Sequence, residues 1–599
     1  MSEFRFSPRP NRANEIKWRT WGEAAFAEAR DQGKPVLLAI SAVWCHWCHV
    51  MDETSYSIPE IIEIINDRYI PVRVDNDERP DVNRRYNMGG WPSTVFLTPE
   101  GEIIHGATYV PPDQMWQAVN GVNEVWTTKR EEITARVSEL REQEAKERKP
   151  ATDGATARKS ELSADIVDTV AALVRGQYDP QFGGFGRSPK FPQVRLLRFL
   201  LDEYRRHGYP DVAHMLHKTL AAMAASGMHD KIEGGFFRYA TTREWEIPHY
   251  EKMLEDNSEL LAAYAEAHRT FPQAGYDRVV RDVVRWMDTV LWREDVNAFA
   301  GSQDADEVYY ELDAPGRAKH GAPFVDKTLY TGWNALAISA YLAAADVLDD
   351  PRLRERGTLV LKTIATRMWD PTEGLAHFDR GEGPRVRDLL GDLAAVLTAQ
   401  LDAYETGEHP IGIVGAQRVA TRMHERLMDA EGGGFFDAPA REEPGRVALR
   451  EKPIEENAMA ADALLRLAAL TGDERWRETA VRTLRSFVGS YRGWGQFASS
   501  YANAMARALT EPLTITVVGP TDDPTAAALW NAARSVDDPA RSTQRIVPAR
   551  DGARLEQLGF PPDRTAAYVC VGTTCSAPLL DEGALRGELE RARERLERV

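Results

Sequence analysis

The sequence predicts a multidomain chain, α/β at its two ends and all-α between them. Three observations carry that expectation. First, the apolar run Pro35-Val36-Leu37-Leu38-Ala39-Ile40 leads straight into Trp44-Cys45-His46-Trp47-Cys48-His49, so a buried strand precedes a Cys-x-x-Cys. Second, a glycine–aromatic signal returns six times through a long helical stretch. Third, short apolar strands alternate with helices again after Pro512. A chain of 599 residues also exceeds what one hydrophobic core can serve, so roughly two to four domains are expected.

Residues 1–125 read as alternating helix and strand. Trp21 to Arg30 is helical, the first strand follows, and the cysteines open a helix. Arg68 to Asp75 is the next strand, and Gly90-Trp91-Pro92 opens a third over Ser93 to Leu97, with Glu102 to His105 returning as a hairpin. A Cys-x-x-Cys at a strand end, with a strand-opening proline later in the chain, is the layout of a thioredoxin-type thiol site. Residues 126–160 are a charge-dense helix and then the linker Pro150 to Thr156.

Residues 161–510 are helical, punctuated by Phe182-Gly183-Gly184-Phe185, Gly234-Gly235-Phe236-Phe237, Phe299-Ala300-Gly301, Gly374 to Phe378, Gly433-Gly434-Phe435-Phe436 and Gly493 to Phe497. Each interval holds one helical hairpin plus a loop. Six hairpins that cannot bury their faces singly close into an (α/α)6 six-hairpin barrel; an open helical solenoid is the competing arrangement. Residues 511–599 form a small α/β appendage with strands Leu513 to Val518, Arg545 to Val547 and Thr565 to Cys570, and a charged helix from Glu582.

Composition limits function. Acidic residues outnumber basic ones 92 to 74, which argues against a nucleic-acid binder. No apolar run reaches the length of a membrane span, and the start lacks a signal peptide's apolar stretch. The four cysteines form two close pairs, Cys45 with Cys48 and Cys570 with Cys575, too few for a disulfide framework. A cytoplasmic protein with no cofactor and no resident metal is expected.

At the thiol site Cys45 is expected at a helix N-terminus, where the backbone dipoles favour a thiolate, with Cys48 one turn in as resolver. His46 adds positive character when protonated, and Pro92 is placed beside the thiols. Two other readings stay open: a zinc ion shared by Cys45, Cys48, Cys570 and Cys575, or a vestigial structural pair.

Cys45 to Met51, Val74 to Val82 and Gly89-Gly90-Trp91-Pro92 resemble the thioredoxin-like domain of the spermatogenesis-associated protein 20 (YyaL-like) family. Ser188 to Pro192, Pro248 to Leu254, Asp304-Ala305-Asp306 and Val569-Cys570 with Cys575 match its later blocks. The resemblance implies a thioredoxin-like domain followed by a barrel similar to N-acylglucosamine 2-epimerases and glycosidases. The sequence departs from the family's pattern after Asp306 and at Glu455-Glu456-Asn457.

In such a barrel, polar residues beside the repeated turns converge on a central cavity. The candidates are His249, Glu251, Asp304 and Asp306 for catalysis, and Arg238, Tyr239, Trp245, Gln303, Trp333, Asn334, Asp392, Glu456 and Asn457 for a sugar or polyol. Glycoside hydrolysis needs two carboxyls, available from Asp304 or Asp306 with Glu251 or Asp392. Epimerisation needs acid/base groups on both faces of a carbon, and of the 13 histidines only His249 and His377 lie in the repeat segments. Equally, the aspartates are suited to capping helices, His249 and Glu251 to pairing with one another, and Trp245 and Trp333 to the core. The expected function is a thiol–disulfide redox site, with a partner protein, coupled to a carbohydrate-binding or carbohydrate-converting barrel. The alternative is a binding or scaffold protein with vestigial sites.

Overall fold

A computed structural model describes residues 4–147, 161–407 and 412–597; the expected linker around Pro150 to Thr156 lies outside them. The chain divides into two compact units.

The first unit is built on a four-stranded sheet. β1 (Val36–Ser41) runs parallel to β2 (Ile70–Asp75) and antiparallel to β3 (Ser93–Leu97), which pairs with β4 (Ile103–Ala107). Both faces of β1 are buried, which is why its sequence is continuously apolar. Leu37, Ala39 and Phe96 pack with Met51, Ile61, Ile65 and Met115. Val36, Leu38, Ile40 and Val95 pack on the opposite face with Phe26, Val82 and Tyr86. α1 (Glu23–Gln32), α2 (His46–Glu53), α3 (Pro59–Arg68), α4 (Pro80–Tyr86) and α5 (Pro112–Glu147) supply the covering layers.

Two distant segments, 302–326 and 437–451, also belong to this unit. Arg85 reaches Asp437 through two hydrogen bonds of 2.7 and 3.1 Å and donates to the Leu449 carbonyl. Tyr86 receives the Arg446 N–H and donates to the Gly101 carbonyl. Gly101 and Gly445, both at positive φ, touch so closely that a Cβ on Gly101 would lie 2.5 Å from the Gly445 Cα. Arg5 pairs with Asp326 and Glu78.

The second unit holds the barrel. Its inner helices, Val194–His207, Leu254–Thr270, Thr331–Leu348, Leu390–Glu405, Ile454–Thr471 and Ser499–Leu509, contact one another in that order, and the last returns to the first. The ring is therefore closed, and an open solenoid is excluded. Outer helices including Ala164–Gln177, Pro210–Ala225 and Glu474–Arg485 pack outside it. The inner helices are rich in alanine because their flanks are buried against both neighbours. The C-terminal sheet, with Leu513–Val518 between Arg541–Ile546 and Ala566–Val571, packs against the barrel helices Leu390–Glu405 and Ile454–Thr471. Cys570 and Cys575 face each other across its edge and are joined as a disulfide, so the four-cysteine zinc site weighed above lacks two of its thiolates.

Three of the six glycine–aromatic turns, those at Gly183-Gly184, Gly234-Gly235 and Gly433-Gly434, share one construction. Asp179, Asp230 and Asp429 each stand four residues before the first glycine and accept two backbone N–H groups from the turn through Oδ1. A lysine closes each loop: Lys190, Lys252 and Lys452 donate to the other carboxylate oxygen at 2.8, 2.6 and 2.6 Å and to the carbonyl of Gly183, Gly234 and Gly433.

Candidate functional site

In the first unit Cys45 is the N-cap of α2, and its Sγ accepts the Cys48 N–H at 3.3 Å. Both thiols are free and buried, at 5% and 2% exposure. The Trp91–Pro92 bond is cis. Trp44, which packs edge-on against Trp91, donates to Asp77 at 2.6 Å. His46 starts α2, its ring 5.6 Å from that of the exposed Trp47, and Trp47 lies against Tyr109.

Under the thiols Arg73 donates to both oxygens of Asp52, at 2.8 and 2.9 Å, and the pair is buried. Burial opposes the Arg73 charge, but Asp52 outweighs it and keeps the guanidinium firmly protonated; a Cys48 thiolate acts in the same direction. Arg73 is therefore a fixed cation within electrostatic reach of the resolving sulfur.

Asp304 and Asp306, expected among the barrel's catalytic carboxyls, lie in the unit that holds the thiols. Asp304 Oδ2 is 3.9 Å from His49 Nδ1, while His49 Nε2 bonds the Val43 carbonyl at 2.8 Å. Burial pushes the His49 imidazole below its usual pKa. Asp306 caps the short helix Glu307–Glu311 by accepting the Tyr309 N–H. Gln303 is fully buried and pairs with Val325 in a two-residue ladder. His49 was not expected as the neighbour of Asp304; the signal was its place four residues after Cys45, on the same helical face.

The remaining candidates are in the second unit, around the N-termini of the inner helices. His377 Nδ1 is 2.8 Å from Asp392 Oδ2, and both are buried. The other Asp392 oxygen accepts the Gly332 N–H. Trp333 lies near, its ring 4.3 Å from that of Tyr330, which in turn is 5.9 Å from His377. Glu456 stands close to Gly391, the residue before Asp392. A second pair, His249 Nδ1 with Glu251 Oε1, is separated by 3.4 Å. Tyr239 stacks on His249, and the Arg238 N–H bonds the Glu251 carbonyl.

Three residues expected at a ligand are committed to the framework instead. Trp245 is completely buried, wedged over Gly184, with its indole N–H on the Phe182 carbonyl. Asn334 spends its amide on both main-chain groups of Phe299 and on the Tyr330 carbonyl. Asn457 does the same for Phe435 and Pro453. Asn257 repeats the device with Phe236 and Met253. An amide at the fourth position of an inner helix is thus the clasp that holds three of the six aromatic turns.

One acid was missed. Asp256, in the first turn of Leu254–Thr270, is pushed up to about 6: burial raises it, Arg238 opposes, and Glu259 and Glu251 raise it further. Its Oδ2 has no hydrogen-bond partner. The acidic run Glu255-Asp256 just after the His249 block was the available signal.

Residues 8–145 match the family described as "Protein of unknown function, DUF255" (Thioredox_DsbH). The chain is 26% identical to spermatogenesis-associated protein 20 of Homo sapiens over 716 aligned residues, covering 96% of this chain and 89% of that protein. It is 33% identical to the thiol:disulfide interchange protein DsbD of Pseudomonas fluorescens over 82 residues, 13% of this chain and 14% of that one. The barrel resembles that of a D-mannose isomerase at 12% identity and TM-score 0.47, over 60% of this chain and 99% of the other.

Proposed function

We propose that this chain, similar over 96% of its length to spermatogenesis-associated protein 20, exchanges disulfides at Cys45 and Cys48 and converts a carbohydrate in its barrel. The observation that carries the thiol reading is the hydrogen bond from the Cys48 N–H to Cys45 Sγ at the start of α2. It is made to the sulfur that the helix terminus favours as a thiolate, and it is strongest when that sulfur is charged. A similarity to a thiol:disulfide interchange protein, over 82 residues, supports the same reading.

In this reading the Cys45 thiolate attacks one sulfur of a partner disulfide. A Cys45–partner S–S bond forms, and the other partner sulfur leaves as a thiolate. Cys48, which lies within electrostatic reach of the Arg73 cation, gives its proton to the departed partner thiolate, attacks Cys45 Sγ and releases the second partner sulfur. Two electrons pass to the partner, and the Cys45–Cys48 disulfide remains.

In the barrel, His377 oriented by Asp392, and His249 beside Glu251, are histidine–carboxylate pairs of the kind that move a proton to and from carbon. Asp256, protonated up to about pH 6, adds an acid.

Thiol trapping in glutathione buffers tests the first half. A Cys45–Cys48 potential between roughly −120 and −270 mV, the span of working oxidoreductases, is expected; failure to form the disulfide refutes it. A second reading rests on the burial of both sulfurs: a thiol pair kept for structure. Protection of Cys45 from iodoacetamide until denaturation would establish it. For the barrel, solvent-deuterium incorporation into a panel of aldoses should be found and should vanish in His377→Ala; unchanged incorporation removes His377 from the site.

A further inference from the structure

The inner helices of the barrel enclose a cavity of about 340 Å³ that the C-terminal subdomain borders through Arg534, Asp537 and Arg541. It runs along the inner helices, from Arg195 and Glu455 in their first turns to Arg269 and Arg541 at the far end. Its lining is a lattice of arginines and carboxylates. Arg198 bonds Glu266 at 2.7 Å, Arg466 bonds Asp402 at 2.6 Å and Glu405 at 3.1 Å, and Arg507 bonds Asp462 at 2.6 Å. Arg205 reaches Asp537 at 3.0 Å, and Arg534 pairs with Asp346. Buried guanidinium charge is tolerable only with such partners.

Two members break the rule. Arg541 Nη1 donates to the main-chain carbonyls of Arg534 and Val536 at 2.6 and 2.9 Å. Arg269 Nη2 donates to the same two carbonyls at 3.5 and 3.3 Å. The two guanidiniums therefore converge on one spot, with uncharged oxygens as their hydrogen-bond acceptors. Asp537, four residues before Arg541, is occupied by Arg205 and the Thr270 hydroxyl, and the Asp538 carboxylate accepts the Ala540 N–H. Burial, with the Arg269 charge next, pushes Arg541 down to about 10 against the weaker opposing pull of Glu405 and Asp537. Each guanidinium keeps N–H donors beyond those it uses here.

We infer that Arg269 and Arg541 form a phosphate site at the floor of the barrel, distinct from the rim, that takes inorganic phosphate or the phosphate of a monoester. Two planar forks side by side suit a tetrahedral dianion, which accepts from both and cancels their repulsion. The cavity leaves room for more than the phosphate, which is why a monoester is included. Solvent reaches this end, since the Arg534 and Asp537 side chains remain 20% and 27% exposed.

Titration calorimetry on the full chain, with inorganic phosphate in one arm and glucose 6-phosphate in the other, tests the site at constant ionic strength set by chloride. Saturable binding in at least one arm is expected, and the tighter arm identifies the source. Arg541→Gln and Arg269→Gln should each weaken it by at least about tenfold, while Arg507→Gln, whose arginine already has Asp462, should leave it unchanged. If either site variant fails to fold, broadening of the phosphate ³¹P resonance by the unaltered protein, reversed by excess sulfate but not by chloride, serves as the readout. No saturable binding in either arm, or equal weakening by Arg507→Gln, overturns the inference. Glucose 6-phosphate held at the rim by its sugar would survive Arg541→Gln and Arg269→Gln, so failure of the phosphate site leaves the carbohydrate reading untouched.

Discussion

The rim turns and the floor of the barrel both bury cations, and they do so under opposite rules. At the rim Lys190, Lys252 and Lys452 each have a carboxylate and a glycine carbonyl within hydrogen-bond distance. At the floor Arg269 and Arg541 bond carbonyls alone. The rim lysines complete their own electrostatics and so hold a loop in shape. The floor arginines bond no carboxylate, Glu405 and Asp537 acting on Arg541 only through space, and so keep donors for whatever enters. A buried ion with its counter-ion in the chain is architecture; one without it is a receptor.

The largest effect expected from this contrast is at the rim. Lys252→Met leaves Asp230 buried beside the space vacated by its ammonium, at a cost of about 3–5 kcal/mol. Lys190→Met should cost less, because Arg243 also bonds both Asp179 oxygens, at 2.7 and 2.8 Å. Lys452→Met should cost least of the three, since its pair is about one-fifth exposed, against essentially none for the other two. Urea denaturation of the three variants checks the order. Equal costs would mean that the lysines matter for packing rather than for charge.

These clamps show how much of the molecule was legible. Gly183-Gly184, Gly234-Gly235 and Gly433-Gly434 announced three of the turns, and the six returns of the glycine–aromatic signal announced the hairpins. The lysines went unread because they stand 11 to 23 residues past the aspartates they bind, and no local periodicity links them. The thiol site was the clearest part, because Cys45, Cys48 and the strand before them are contiguous. The placement of Asp304 beside His49, and of Asp437 on Arg85, depends on pairings hundreds of residues apart. Asn334 and Asn457 were misjudged for a related reason: an asparagine that clasps a backbone and one that holds a sugar look alike in a sequence.

Asp256 sharpens the comparison from the acidic side, as a rim carboxyl whose Oδ2 lacks the partner that Asp230 has. Its folded pKa of about 6 stands above the ordinary value of 3.8. The folded state therefore holds the proton more tightly than the unfolded chain. The stability this contributes is fully present below about pH 4 and is lost as pH rises through about 6. Asp256→Asn should remove that loss and raise stability at pH 7 by on the order of 1–3 kcal/mol, with a flatter profile between pH 4 and 7. An unchanged profile would show that Arg238 compensates the carboxylate after all.

The smallest effect belongs to Arg541, and its sign decides the contrast. In phosphate-free buffer of low ionic strength the guanidinium contributes two hydrogen bonds to carbonyls and is drawn by Glu405 and Asp537, yet it is partly buried and repelled by Arg269. These terms nearly cancel, so Arg541→Gln should shift stability by less than about 1 kcal/mol, toward stabilisation. The contrast with Lys252→Met is the point, because a cation that serves the fold cannot be removed without loss. Adding inorganic phosphate should then stabilise the unaltered protein and not the variant, reversing their order. If Arg541→Gln instead costs several kcal/mol without phosphate, the floor arginines are structural, like the lysines at the rim, and the two ends obey one rule.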